Sequence, residues 1–354
     1  MATQDAMVSS QGQWADWQRG PWLHSKRWDL CFITLSGVLA VIPLALYELL
    51  GSNSAMFVNL FVAGVIGGPH MYATFFRTTL DRSFRQRHRF VILSSGAIPV
   101  LVVFFALWHF QLLLTLFFFW ASIHVLHQIA YIVQCYERKQ PSQMQRWSQL
   151  VDYAVVGSCL FPMASYKFIH DKFYLGNTLL LYPDVLKTPV IFYLITGFFA
   201  LVMLAFLGKT LIEIRQGTVH YPKLLLILTT VVLAFTITSY SGDKLEIAFQ
   251  GFNTWHSFQY LALTWYITLL RRQRGEGDSK VMRWLAAHDH GHFGYFYGLN
   301  MALTAMAILI IGAVVALSPL AFEHSYYIVV LSILLVHYYH DHILFTHYDD
   351  LVQG

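Results

Sequence analysis

Long apolar stretches recur along this chain, each about 20 residues and each set off by a short polar or basic link. A hydrocarbon layer of about 30 Å needs roughly that many residues per helix. Ten spans are expected, at 29–50, 55–77, 90–108, 110–135, 149–169, 189–211, 221–240, 245–270, 293–317 and 326–347. Pro162 and Lys167 interrupt the fifth, and Gln250, Asn253, His256 and Gln259 make the eighth unusually polar. The expected fold is an all-α, polytopic membrane bundle in one domain. Residues 1–28 form an interfacial segment and 348–354 a tail.

Hydrophobic residues make up 56% of the chain and charged residues 12%. A soluble domain carries about twice that charge. The balance excludes a disordered chain, a nucleic-acid-binding protein and an ordinary soluble enzyme. Lys and Arg cluster in alternate links: Arg19 to Arg27, Arg77 to Arg89, Arg138 to Arg146, Lys209 to Lys223, and Arg271 to Arg283. The links at 51–55, 108–109 and 318–324 are nearly bare of basic residues. The positive-inside rule then places both termini in the cytoplasm and expects a bacterial plasma membrane. Trp14, Trp17, Trp22 and Trp28 suit the membrane interface, and the N-terminus lacks a cleavable secretory pattern. Cys31, Cys135 and Cys159 form no paired motif.

Against this apolar background stand 17 histidines. His70, His124, His127, His256, His337 and His340, with Asp341, fall inside expected spans two, four, eight and ten. Those four spans run in one direction, so depth follows from the helical rise. His70, His340 and Asp341 lie about 10 Å from the cytoplasmic end, His127 and His337 about 15 Å, His124 about 20 Å and His256 about 22 Å. Imidazoles from four helices thus share one slab, the cytoplasmic half.

Spacing sharpens the pattern. His124 and His127 are i,i+3, and Tyr131 extends their face. His337, His340 and Asp341 are i, i+3, i+4, and His347 is expected to continue that stripe, whereas His342 points elsewhere. Asn253, His256 and Tyr260 form a third stripe. A resemblance between W-x3-H-x2-H-Q-x2-Y in span four and N-x2-H-x2-Q-Y in span eight is too slight to be a repeat.

Neutral imidazole is the commonest ligand of iron, copper and zinc. Five or six imidazoles with one carboxylate suit one or two iron ions. Gln128, Gln259, Asn253, Tyr131 and Tyr260 are placed to orient the rings, and Tyr131, Tyr260 and Asn253 are the candidate catalytic groups. Taken singly, His70 has a second reading: it follows Gly67-Gly68-Pro69, where a histidine can satisfy a carbonyl freed by a kink. His288, His290 and His292 could close the mouth of the site, bind a second metal, or form a solvated loop. The Arg77–Arg89 run reads as topological, at lipid headgroups.

Scattered single histidines on several spans resemble the polytopic Brp/Blh-like β-carotene dioxygenases, with His70, His124, His127, His256 and His337 carrying the likeness. The boxes of membrane desaturases and hydroxylases, HxxxH and HxxHH, do not match HxxH at 124–127 and HxxHDH at 337–342. The resemblance implies non-heme iron, O2 and an apolar, isoprenoid-type substrate. The expectation is a membrane oxidoreductase that hydroxylates, desaturates or cleaves a lipid reaching it from the inner leaflet, with an electron donor still to be identified. Two rivals stand beside it: a carrier of haem b held by two facing histidines, and a proton-coupled transporter with a His/Asp relay.

Overall fold

The computed structural model describes residues 21–51, 54–139, 146–170, 172–240, 245–275 and 293–352. Trp14, Trp17, His288, His290 and His292 lie outside the described residues, as do Arg19, Lys280 and Arg283. The described chain is an all-α bundle with one two-residue-a-side hairpin. In order it runs α1 (Lys26–Leu50), α2 (Ala55–Arg77), α3 (Arg82–Arg87), α4 (Arg89–Trp108), α5 (Phe110–Lys139), α6 (Arg146–Ser158) and α7 (Phe161–Ile169). The hairpin of β1 (Tyr174–Leu175) and β2 (Thr178–Leu179) follows. The chain then continues through α8 (Pro189–Gln216), α9 (Tyr221–Tyr240), α10 (Leu245–Gln273), α11 (Phe293–Leu317), α12 (Phe322–Leu344) and α13 (Asp349–Val352). Eight helices are long and apolar enough to cross a membrane: α1, α2, α4, α5, α8, α9, α11 and α12. They mark an integral membrane protein.

The other two expected spans differ for physical reasons. Residues 149–169 form two helices rather than one. Pro162 sits at the start of α7, where its missing N–H costs nothing, so the break falls just before it. α10 is one helix of 29 residues but is too polar to count as an apolar span. It still runs the length of the bundle. Glu246 accepts from the Gly176 N–H at the hairpin end, at 2.8 Å, and Arg271 pairs with Asp81 at the opposite end, at 2.5 Å. Nearly all of α10 is buried by its neighbours, so its polar side chains need satisfy only other protein groups.

Two helices are locally irregular, and the irregularities feed the interior. In α1 a π segment (Leu30–Thr34) runs into a 3-10 segment (Leu35–Val41). The carbonyl of Ile33 there accepts from Gln259 Nε2 at 2.6 Å and from Trp255 Nε1 at 3.2 Å. In α2 a π turn (Ala63–Gly67) precedes Pro69. Proline cannot donate to the carbonyl four residues earlier. That carbonyl, on Val65, accepts instead from the Tyr297 hydroxyl of α11 at 2.5 Å. Gly68 lets α11 approach: an added Cβ would stand 2.3 Å from Thr304 Cγ2. α11 therefore hugs the second half of α2, where Phe296 meets Phe76, and diverges from its first half.

The basic links are not all topological. Lys209 and Lys223, expected as loop charges, are buried to 3% and 2%. Both ammonium groups meet the Asp152 carboxylate, Lys223 at 2.5 Å. Glu137 and Glu213 complete the network at 3.5 Å from Lys223 and Lys209 respectively. Paired this way, the charges clasp the ends of α5, α6, α8 and α9. Arg77, expected at headgroups, is likewise buried at 3%.

Candidate metal centre

His70 of α2, His124 of α5, His256 of α10 and His337 of α12 converge in the interior. Their ring centroids form a closed circuit: His70–His337 4.6 Å, His337–His124 5.1 Å, His124–His256 4.9 Å and His256–His70 5.1 Å. The rings meet edge-on, and none is more than 3% exposed. Nε2 of all four is buried without a hydrogen-bond partner, as is Asp341 Oδ2. Ligand atoms of His70, His256 and His337 lie within 4.8 Å of one another, and so do those of His124, His337 and Asp341. One buried unpaired polar atom costs about 1–3 kcal/mol. Two overlapping triads that share His337 fit a bound cation, whose coordination would satisfy such atoms together.

Hydrogen bonds set two tautomers. His70 Nδ1 lies 2.6 Å from the Gly67 carbonyl, which can only accept. Nδ1 therefore carries the proton and Nε2 the lone pair. The kink reading of His70 and the ligand reading thus apply to different nitrogens of one ring. Ser257 Oγ, 2.9 Å from the same Nδ1, donates to Asn253 Oδ1 at 3.1 Å.

Thr74 does the same for His337. Its hydroxyl donates to Asp341 Oδ1 at 2.9 Å, and Tyr260 donates to that oxygen at 2.7 Å. With both protons directed at the carboxylate, Thr74 Oγ1 accepts from His337 Nδ1. Asp341 Oδ2 remains 3.6 Å from His337 Nδ1 and 3.9 Å from His124 Nε2. A further brace holds α5 to α10: Gln128 Nε2 donates to the His256 carbonyl at 3.1 Å and to Gln259 Oε1 at 3.0 Å. Such outer partners fix ring orientation in metal sites.

The structure thus brings together His70, His124, His256, His337, Asp341 and Tyr260. It sets the other expected residues apart. His127 is half-buried and faces His342 and Phe345, at 5.3 and 5.2 Å. His340 is fully buried beside Phe75, but its Nδ1 lies 3.1 Å from Thr78 Oγ1, on another level of α2. Tyr131 reaches the His347 carbonyl at 3.4 Å and stacks on Tyr348. Asn253 touches the cluster only through Ser257. His347 does not extend the stripe, because α12 ends at Leu344. An α-helix advances 100° per residue, so an i,i+3 partner falls about 60° round the axis and an i,i+4 partner about 40°. Asp341, at i,i+4, joins His337, whereas His127 and His340, at i,i+3, are turned toward His342 and Phe345 and toward Thr78.

Thr74 and Ser257 are parts of the site that sequence reasoning missed. Thr74 is four residues after His70 and Ser257 four after Asn253, so helical spacing alone could have found both.

An apolar cavity of about 370 Å³ reaches the cluster at His70. It extends from there toward Asn59, Glu246 and Gly312, the bundle end away from Arg77 and Arg271. Beyond the spans at the basic end, Asp81 caps α3 through Ser83 N and Phe84 N, at 2.8 and 3.3 Å. Burial opposes its charge, yet Ser83 and the Arg271 guanidinium outweigh burial and hold the carboxyl below its usual range. Comparison with protein-family models, curated proteins and solved structures finds no match to this chain.

Proposed function

We propose that this chain is a multi-pass membrane oxidoreductase whose metal, non-heme iron, is held by His70, His124, His256 and His337, with Asp341 beside them. The observation that carries this reading is the circuit of four buried imidazoles with unpartnered Nε2 atoms. All-imidazole nitrogen with one carboxylate suits iron, and copper or zinc next. The tight edge-on packing of the rings favours a compact ion over the broad macrocycle of haem b. With the eight apolar helices, α10 and the broken α6–α7 pair would make ten crossings, and the basic links and both ends would then lie on the cytoplasmic side of a bacterial plasma membrane.

Bound there, iron would supply O2-dependent oxidation of an apolar substrate by hydroxylation, desaturation or cleavage. The chain's own groups do the rest. His70 and His337 are held as single tautomers by Gly67 and Thr74. Tyr260, hydrogen-bonded to Asp341 and 5.3 Å from the His337 ring between centroids, can hand on a proton through that carboxylate. The apolar walls of the cavity exclude water and receive a lipid chain. Electrons come from a donor outside this chain.

Metal analysis of protein purified without added chelator tests the reading. About one iron per chain, lost in His124→Ala and in His337→Ala, is the expected result. Stoichiometric metal-free protein that retains its activity would overturn it and favour a His/Asp proton relay.

A further inference from the structure

The cavity beside His70 has a shape and a chemistry that select a ligand. It arises from the kink in α2. The π turn at Ala63–Gly67 and Pro69 tilt the first half of α2 away from α11, while Gly68 holds the second half against Thr304. The resulting cleft opens sideways, where Leu60 and Ile308 are 40% and 55% exposed. Both belong to helices apolar enough to face lipid. Asn59 and His70 both line it, 11 residues apart on α2, or about 16 Å by the helical rise.

The distal end is lined by two amides and a carboxylate. Asn59 Oδ1 is buried without a hydrogen-bond partner. Gln250, whose Oε1 accepts from Asn253 Nδ2 at 3.2 Å, lies in the same wall with Glu246, which is 4% exposed and accepts from the Gly176 N–H. No Lys or Arg lines the cavity among the described residues. An anionic headgroup would find no cation there and would meet Glu246, whereas a hydroxyl would find oxygens to donate to. The volume lies within the range of small-molecule sites.

We infer that this cleft binds a long-chain lipid alcohol, which enters from the bilayer between α2 and α11 with its hydroxyl at Asn59 and its far carbons at His70. The inference rests on the metal reading only for the fate of the bound chain. If that reading holds, the oxidised carbon lies about 16 Å from the hydroxyl, deep in the apolar tail. The leaflet that supplies the ligand is then the one on the hairpin side, not the one beside the basic links.

Binding of tritiated hexadecanol to the purified full-length protein in nanodiscs tests this, with hexadecane and palmitate as competitors. Hexadecanol should compete at least tenfold better than palmitate. Asn59→Leu should weaken hexadecanol about tenfold, the cost of one specific hydrogen bond, and leave hexadecane unchanged. An added Cβ at Gly64 meets nothing within 4 Å, so Gly64→Trp can fill the cleft in a folded protein and should abolish binding of both chains. His124→Ala should bind hexadecanol as the wild type does, which separates failure of the cleft from failure of the metal site. Equal competition by palmitate, or undiminished binding by a folded Gly64→Trp protein, would overturn the inference.

Discussion

The Thr74 hydroxyl donates to Asp341 Oδ1 at 2.9 Å and so joins α2 to α12 at the level of the four imidazoles. Thr74 Oγ1 in turn accepts from His337 Nδ1. One hydroxyl thereby orients a ligand ring and anchors the only carboxylate in either candidate ligand triad.

Thr74→Val keeps the shape and removes the hydroxyl. Metal affinity should fall about 10–100-fold, the usual cost of losing such a partner. Thr74→Ser should bind nearly as the wild type does. Competition with a chromogenic chelator measures both, and equal affinity for Val and wild type would show that Thr74 does not orient His337.

The cluster's membership can be checked by substitution along one helix. His124→Ala should lose metal stoichiometry, whereas His127→Ala, three residues on, should retain it. His340→Ala should also retain it, since that ring bonds Thr78 on another level. Elemental analysis of the three proteins decides. Loss of metal from His127→Ala would place the centre nearer the basic end than the geometry does.

Asp152 is fully buried between Lys209 and Lys223. Asp152→Asn leaves two buried ammonium groups without their central carboxylate. Breaking a buried ion pair by removing one partner costs about 3–5 kcal/mol, so the melting temperature in detergent should drop by many degrees. The Asp184–Lys187 pair is a useful contrast, with an Asp184 side chain 93% exposed. Asp184→Asn should leave the melting temperature unchanged, because exposed pairs contribute little.

The Asp81 cap predicts a pH dependence. Its folded pKa is lowered, so its contribution is complete above the unfolded value near 3.8 and is lost as pH falls through the folded value. Asp81→Asn can still cap α3 but loses the charge paired with Arg271, which should cost up to about 1 kcal/mol near neutral pH. The difference between the two proteins should shrink as pH falls through the lowered folded value, where the wild-type carboxyl becomes protonated too. Melting curves from acidic to neutral pH measure it, and a pH-independent difference would assign the effect to shape rather than charge.

Hydropathy made the membrane bundle legible in the sequence, because each crossing must be paid for locally in apolar residues. The rise per residue placed histidines of four spans in one slab, with His70 about 10 Å and His256 about 22 Å deep, whereas their ring centroids lie 5.1 Å apart in the bundle. Depth is only one coordinate. Sequence spacing said that His124 and His127 share a face, but not which of them the neighbouring helices meet. Packing decided that, through a Gly68 contact, a kink before Pro69 and a polar α10 held at the centre. The same packing turned Lys209, Lys223 and Arg77 inward, where a count of basic residues had placed them at the surface. Local physics is written residue by residue along the chain. Convergence of four side chains on one point depends on the relative rotation of four helices, and only their mutual packing sets it.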